Sequence, residues 1–437
     1  MVCHQELIIS ALKFGSFHIG PGKASLRTLM NLSRVKILHR TWLEKLTTVW
    51  LVPAVFAVSM IANAETAHRY VGRAVSGWKL ALVMLLTALA PLLCVVVPKH
   101  VQRRLYPWIG VLAVGFCAVA WWMVPQESLR VDRWELMSNF LTRLFDGQYP
   151  YLASSRFNVP PPVPFPWLYL VGIPAWAVGE IGWFPLVSLA VLVFTIPKNG
   201  RGPLVMALAT SLPVWYELVV RSNIVANAAL VGAFLLSGLS RKWFAVVCSG
   251  ALAGVVGCTR ASFVAPILVW AGSEIVSQRR WRDGSIWSGV AIFVALLPFA
   301  ILIAVWGWPV FRDWNPLRIQ GSIQSPWLPL AILALSPWIG MMATSLEKRM
   351  AAAFWVSFLP MASLLVPTLL DGSFFNINRG YFEVAFWNSS LVLGLLAWSV
   401  TRADGYTDRE RECRHAGSDA AALTDLTSPA RQAMKRY

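Results

Sequence analysis

The chain has 437 residues, of which 57% are hydrophobic and 14% charged, and its formal net charge at pH 7 is +17. A mean hydropathy of +0.58 and the low charged fraction exclude an ordinary soluble protein, in which about a quarter of the residues are charged. The basic excess does not indicate nucleic-acid binding, because the cations concentrate in alternate loops between apolar segments. We therefore expect a membrane protein whose basic residues orient it and contact lipid headgroups.

Apolar stretches long enough to cross a bilayer recur from residue 46 to residue 400. They predict an all-α polytopic membrane helix bundle of about twelve transmembrane segments, with both termini cytoplasmic by the positive-inside rule. Two shorter apolar pieces between residues 166 and 196 leave this count open by one, since either one of them is re-entrant or interfacial or the following PKNGRG turn lies outside. The clearest candidate spans are Leu46–Ala64, Leu80–Val97, Leu105–Val124, Ile286–Trp306, Leu328–Met342, Ala351–Leu370 and Val384–Val400.

The predicted organisation has three parts. Residues 1–45 form a basic cytoplasmic segment, residues 46–400 form the transmembrane domain, and residues 401–437 form a polar cytoplasmic tail that we expect to be disordered. The first segment has no continuous apolar region, so no cleavable signal peptide is predicted, and either Met1 or Met30 is the start. The cysteines show no CxxC or Cys/His spacing, so neither a disulfide framework, a metal site nor a cofactor is expected.

The large outer loop at residues 126–165 is the longest polar stretch between predicted spans, and loops of this length usually carry function. Asp132 lies just beyond the third predicted span, where a carboxylate can act as a general base at the membrane surface. Asp132 and Glu135 also have the spacing of a capping box, in which Asp132 begins an amphipathic helix that ends near Phe145. Both roles of Asp132 remain open.

The rest of the loop offers further candidate residues. Glu135 and Asn139 share one face of the predicted helix by their i, i+4 spacing, and they either line a polar site or face water. The sequence DGQYPY, which contains Tyr149 and Tyr151, predicts a turn. The proline-rich segment 159–166 predicts a stiff extended connector, which either links two elements or shapes a substrate groove.

Other polar clusters fall on the same predicted outer face. Glu217 and Arg221 are spaced to pair on a helix, and charges at membrane depth favour a function. We consider ligand contact and a purely structural role for Arg221, Asn223 and Arg260 alike. The same alternatives apply to a later polar loop that contains Asn376, Asn378, Arg379 and Glu383.

The basic residues of the predicted outer loops are of one type. Every predicted outer cation is an arginine, whereas the inner face uses both lysine and arginine. Arginine presents a planar fork suited to phosphate, which favours an anionic ligand. His68 is the one histidine predicted outside, so a histidine base or a histidine-ligated metal is not expected there, and a carboxylate is the expected base.

The outer loop and two later segments form an ordered pattern. An early aspartate is followed by an amphipathic helix, a Gly-x-x-Pro-Tyr turn and a proline-rich stretch, and two short polar motifs come later in the chain. These elements are Asp132, the helix 133–145, Gly147 to Tyr151, Pro160 to Pro162 with Pro164 and Pro166, LPVWYELVVRSNIVANAAL at 212–230, and GCTRASFVAP at 257–266 with Arg260 at its basic position.

This pattern, over about residues 105–270, resembles that of GT-C class multi-span glycosyltransferases, particularly the polyprenol-phosphate-dependent bacterial mannosyltransferase group. The resemblance implies an inverting transfer of a mannose-like hexose from a polyprenyl-phosphate donor to an extracytoplasmic glycan or glycolipid. Asp132 would be the base, with Arg221 and Arg260 at the donor phosphate and without a metal. The chain departs from the family in having three predicted spans before the large loop and Ser222-Asn223 where Gly-Gln is common.

The predicted function is therefore a membrane glycosyltransferase of the bacterial inner membrane with its active site on the extracytoplasmic side. Its expected partners are the lipid-linked sugar donor, membrane lipids and the acceptor, and no nucleic acid. The substrate-binding candidates are Glu135, Asn139, Tyr149, Tyr151, Asn223 and Arg379. The alternative is a polytopic transporter, flippase or lipid-carbohydrate ligase-like protein without this catalysis. Against a transporter, few charged residues fall inside the predicted spans.

Overall fold

A computed structural model describes residues 49–72, 75–129, 133–155, 164–316, 327–371 (364–371 as backbone only) and 387–403. These residues belong to one compact unit, Thr47–Tyr437. All regular secondary structure among them is helical, which confirms the all-α fold class. The predicted cytoplasmic segment 1–45 and most of the predicted tail 401–437 lie outside the described residues.

The first helices lead to the large loop and the segment after it. They are α1 (Leu51–Thr66), α2 (Trp78–Val96), α3 (Lys99–Met123), α4 (Arg133–Phe145), α5 (Pro166–Val171), α6 (Ile173–Ala177), α7 (Trp183–Thr195), α8 (Lys198–Ala209) and α9 (Leu212–Val219). The remaining helices are α10 (Asn223–Leu236), α11 (Trp243–Gly257), α12 (Ala261–Val276), α13 (Trp281–Trp306), α14 (Trp308–Asp313), α15 (Trp327–Met342), α16 (Leu346–Asp371) and α17 (387–403).

Three of the described helices are long and apolar enough to cross a membrane, namely α2, α3 and α13. A fourth is added if α8 and α9, which meet at a bend of 76°, are counted as one broken span. The prediction of about twelve spans is therefore not confirmed within the described residues. Five further apolar helices have only 10–17 residues, namely α7, α10, α11, α12 and α15. Hydropathy also does not detect breaks: the apolar piece after the large loop is divided at Gly172 into α5 and α6, which have six and five residues.

Helices α11 and α13 pack closely through glycine. A Cβ added at Gly254 would lie 2.5 Å from the carbonyl oxygen of Ala291, and one at Gly250 would lie 2.7 Å from that of Trp287. No larger side chain fits between the two backbones at these distances. Small residues spaced four apart give this close approach in membrane helix pairs, where apolar burial between helices supplies little driving force.

The amphipathic helix predicted in the large loop is confirmed as α4. Its buried residues recur at helical spacing on one face and pack under the loop: Trp134, Leu136, Met137, Phe140 and Leu141. Phe140 stacks on Tyr169 of α5 with ring centroids 4.0 Å apart. The predicted turn follows at Gly147, whose φ of 70° is unstrained because glycine has no Cβ. The described part of the loop at residues 133–155 is therefore a packed element and holds its polar residues in place.

Candidate functional site

A buried carboxylate, Glu217, lies where α4, α9 and α17 meet. Arg133 Nη1 donates to its two oxygens at 3.0 and 3.1 Å, and Asn388 Nδ2 donates to Oε1 at 3.0 Å. The Glu217 side chain has no exposed surface and that of Arg133 is 11% exposed. An ion pair this well buried holds the start of α4 against the bundle, because separating its members would leave a desolvated charge.

The same arginine reaches the break between α9 and α10. Arg133 Nη1 donates to Ser222 Oγ at 3.2 Å, and Ser222 is the N-cap of α10, where its Oγ accepts from the amide of Ile224. A serine N-cap satisfies an amide that the first helical turn leaves without a partner. The first residue of α4 is thereby fixed to the first turn of α10.

The helix α9 ends in a turn of unusual composition. The amide of Ser222 donates to the carbonyl of Glu217 at 2.8 Å and that of Arg221 donates to the carbonyl of Leu218 at 3.2 Å. These two bonds form a Schellman motif, whose left-handed position normally holds glycine. Here that position is Arg221, with φ of 59°. A side chain in this conformation costs about 1–2 kcal/mol.

The prediction that Arg221 pairs with Glu217 is wrong. Arg221 Nε donates to Glu180 Oε1 at 2.8 Å, and Nη2 donates to the carbonyls of Trp121 and Val124 at 3.1 and 3.2 Å. The i, i+4 rule assumes a continuous helix, but the left-handed turn sends the Arg221 side chain away from α9 toward the end of α3. Its donor groups are used inside the protein, which favours a structural role over the predicted phosphate contact.

Asn223 and Arg260, two other predicted site residues, are brought together. Arg260 Nη2 donates to Asn223 Oδ1 at 3.3 Å, and Arg260 lies in the extended segment between α11 and α12. The neighbouring carbonyl of Thr259 accepts from the amide of Phe165, at the end of the proline-rich segment, at 3.0 Å. Three segments distant in sequence thus meet near the first turn of α10.

The predicted loop residues Asn139, Tyr149 and Tyr151 have partners within the protein. Asn139 Nδ2 donates to the carbonyl of Ser154 at 2.7 Å, and the two tyrosine hydroxyls donate to the carbonyls of Trp314 and Pro164 at 3.1 and 3.0 Å. Burial raises the pKa of Tyr149 to about 12, so its hydroxyl remains a donor throughout the physiological range. The tyrosines anchor the loop, and Glu135 lies half-buried on the same helix.

Several predicted site residues lie outside the described residues. They are Asp132, the candidate base, and the later polar group Asn376, Asn378, Arg379 and Glu383. Asp132 directly precedes Arg133 in the sequence. Within the part of the chain that the structure describes, no group of three or more His, Cys, Asp or Glu residues is arranged to hold a metal ion.

Sequence reasoning missed three members of the site: Arg133, Glu180 and Asn388. In the sequence Arg133 is one of several predicted outer cations, although its place next to Asp132 at a helix start is a signal for an anchoring role. Asn388 falls inside a predicted span, where burying a polar side chain is energetically unfavourable. Its presence there is therefore a signal for a buried polar partner or a function. Glu180 has no such signal, since it lies in a Gly-rich break between apolar pieces.

Substitutions at Arg221 can distinguish the stability contributed by its side-chain hydrogen bonds from the stability lost through its left-handed backbone conformation. We expect Arg221→Gly and Arg221→Ala both to unfold more readily than the wild type, because each removes the arginine that donates to the carbonyls of Trp121 and Val124 and to Glu180, which keeps only the amide of Gly182 as a donor. Ala should be the less stable of the two by about 1 kcal/mol, since Gly relieves the left-handed strain. Denaturation of the purified protein in detergent measures this order. Gly147→Ala is the matched control and should lose about 1 kcal/mol from strain alone; wild-type stability of Arg221→Gly would contradict the anchoring role.

The fold and site together define an all-helical protein with helices apolar enough to span a membrane and a buried polar cluster at the base of a large loop. No protein-family model matches the chain, and neither the curated proteins nor the solved structures contain a match to it.

Proposed function

We propose that this protein is a membrane glycosyltransferase of the GT-C kind, which transfers a hexose from a polyprenyl-phosphate donor to an extracytoplasmic glycan or glycolipid. One observation carries the proposal. The three sequence segments that resemble this class, around residues 133, 217–223 and 260, are joined by hydrogen bonds from Arg133 to Glu217 and Ser222 and from Arg260 to Asn223.

The roles follow from the chemistry of these side chains. Asp132, next to the anchored Arg133, accepts the proton of the acceptor hydroxyl as that oxygen attacks the anomeric carbon of the hexose. The bond between the anomeric carbon and the phosphate oxygen breaks, and polyprenyl phosphate leaves. Arg260, which donates to Asn223 in the first turn of α10, stabilises the charge of the departing phosphate, so no separate acid is required.

The membrane arrangement that accompanies this proposal has about twelve crossings, both termini in the cytoplasm and the large loop outside. The polyprenyl chain lies in the bilayer against the bundle, and its phosphate reaches the loop at the membrane surface. Inversion at the anomeric carbon follows from a single displacement by the acceptor.

The test is transfer by the full-length protein in liposomes. Supplied with polyprenyl-phosphate hexoses and a glycolipid extract as acceptor, the wild type should release polyprenyl phosphate and label the acceptor. Arg260→Ala should raise the KM for the donor about tenfold, because one charge-assisted contact with phosphate is removed. Arg312→Ala is the matched control, since Arg312 is exposed and pairs with Asp313. Absence of transfer from every donor would contradict the proposal.

A transporter or flippase is the second candidate, and one observation favours it. Helices α8 and α9 form an apolar span broken by a bend of 76°, and discontinuous helices are frequent in transporters. The same liposomes distinguish the two functions. A flippase moves the intact lipid-linked sugar to the other leaflet without releasing polyprenyl phosphate, whereas a transferase breaks the glycosidic bond.

A further inference from the structure

A cavity lies at the opposite end of α13 from the large loop. Its volume is about 420 Å³, and it is lined by Val276, Arg279, Trp281, Pro337, Trp338 and Met341. This volume falls within the roughly 300–1,000 Å³ of small-ligand sites. Trp281 begins α13, whereas Trp306 at its other end donates to the carbonyl of Gly147 in the large loop. The helix length of about 38 Å separates this cavity from the candidate site.

Close helix packing forms the wall of the cavity. A Cβ at Gly272 would lie 2.1 Å from the carbonyl oxygen of Pro337, and one at Gly340 would lie 2.1 Å from that of Val269. Helices α12 and α15 therefore touch through their backbones, next to the cavity that Pro337 also lines.

The cavity combines two aromatic rings with one cation. Trp281 and Trp338 are 62% and 60% exposed, which is the placement of tryptophans at a membrane–water interface. Arg279 is also exposed, and no partner of its guanidinium is present among the described residues. The neighbouring Arg280 and Arg349, in contrast, pair with Asp283 and Glu274.

The backbone at Arg279 strengthens this contrast. Its amide donates to the carbonyl of Val276 and that of Arg280 donates to the carbonyl of Ile275, which again forms a Schellman motif with arginine in the left-handed position. Arg221 occupies the same position in the other motif and uses its side chain inside the protein. Arg279 adopts the same strained conformation with no partner for its guanidinium among the described residues, which leaves that side chain available to a ligand.

We propose that this cavity binds the headgroup of one anionic phospholipid, with Arg279 contacting the phosphate and Trp281 and Trp338 packing against the glycerol and the upper acyl chains. The charge of Arg279 favours a phosphate in a headgroup of net negative charge over one whose own cation neutralises that phosphate, as in phosphatidylcholine. The exposed indole rings and Met341 select a lipid over free phosphate, because a small hydrated anion gains nothing from apolar walls.

Native mass spectrometry of the delipidated full-length protein in detergent tests this site. Phosphatidylglycerol should bind as one tightly held molecule, and phosphatidylcholine with the same acyl chains should bind more weakly. Arg279→Gly should weaken phosphatidylglycerol binding about fivefold, the effect of one interfacial cation. Its unfolding temperature without lipid should be equal to or above that of the wild type, because glycine suits the left-handed turn.

The matched control is Arg282→Ala, which removes a nearby exposed arginine that does not line the cavity. It should leave phosphatidylglycerol binding unchanged. Equal losses in Arg279→Gly and Arg282→Ala would overturn the site in favour of diffuse attraction, and unchanged binding in Arg279→Gly would overturn the role of Arg279. Displacement of the lipid by sn-glycerol 3-phosphate would show that the site takes the free anion, which would overturn the lipid assignment.

Discussion

Asp132→Asn is expected to lower the rate of hexose transfer by roughly 10²–10⁴-fold, the usual contribution of a general base. The amide of Asn cannot accept the proton of the acceptor hydroxyl. Asn is as good an N-cap as Asp, however, so a residue that only begins α4 would tolerate this change. The variant therefore separates the two roles that the capping-box spacing leaves open. Initial rates at saturating donor measure the effect.

Two further variants complete this test. Asp132→Ala removes the cap as well as the base, and it should lose about 1 kcal/mol of stability in addition to the transfer rate. Asp146→Asn changes an exposed aspartate in the same loop and should transfer at the wild-type rate. A wild-type rate in Asp132→Asn together with a less stable Asp132→Ala would assign Asp132 to the cap and leave the proposed base without support.

Glu217→Ala is expected to destabilise the protein by about 3–5 kcal/mol, because it leaves Arg133 nearly buried without its partner. It also removes the acceptor of Asn388, which connects α17 to the cluster. Unfolding of the purified protein by increasing sodium dodecyl sulfate measures the change. Anchoring of α4 should fail first, so protease cleavage within the large loop should become faster than in the wild type.

The double variant Arg133→Met/Glu217→Gln is the control for this interpretation. Removing both charges avoids an unpaired buried ion, so the pair should recover most of the stability that Glu217→Ala loses. Equal stability of Glu217→Ala and the wild type would mean that the ion pair does not hold α4. A double variant as unstable as Glu217→Ala would mean that the carboxylate acts through other contacts.

The sequence pattern was sufficient to predict those elements whose stability depends only on residues close together in the chain. The apolar spacing between Arg133 and Phe145 predicted α4 with its bounds, and Asp146-Gly147 predicted the turn that ends it. Both succeed because a helix and its terminal turn are stabilised within a few residues of chain. The long apolar segments around α2, α3 and α13 were likewise evident, because their length and hydropathy are properties of single segments.

The sequence by itself determined that this is an all-helical protein with helices long and apolar enough to span a membrane and a polar loop that carries an amphipathic helix. The tertiary structure decided which charges meet: Glu217 pairs with Arg133 and Arg221 pairs with Glu180. Arg221 does not pair with Glu217 because a left-handed turn at Arg221 ends α9. The sequence around this turn contains no glycine or proline that would predict the end of a helix. Partners of buried charges are chosen by the packing of distant segments, and no local spacing contains that information.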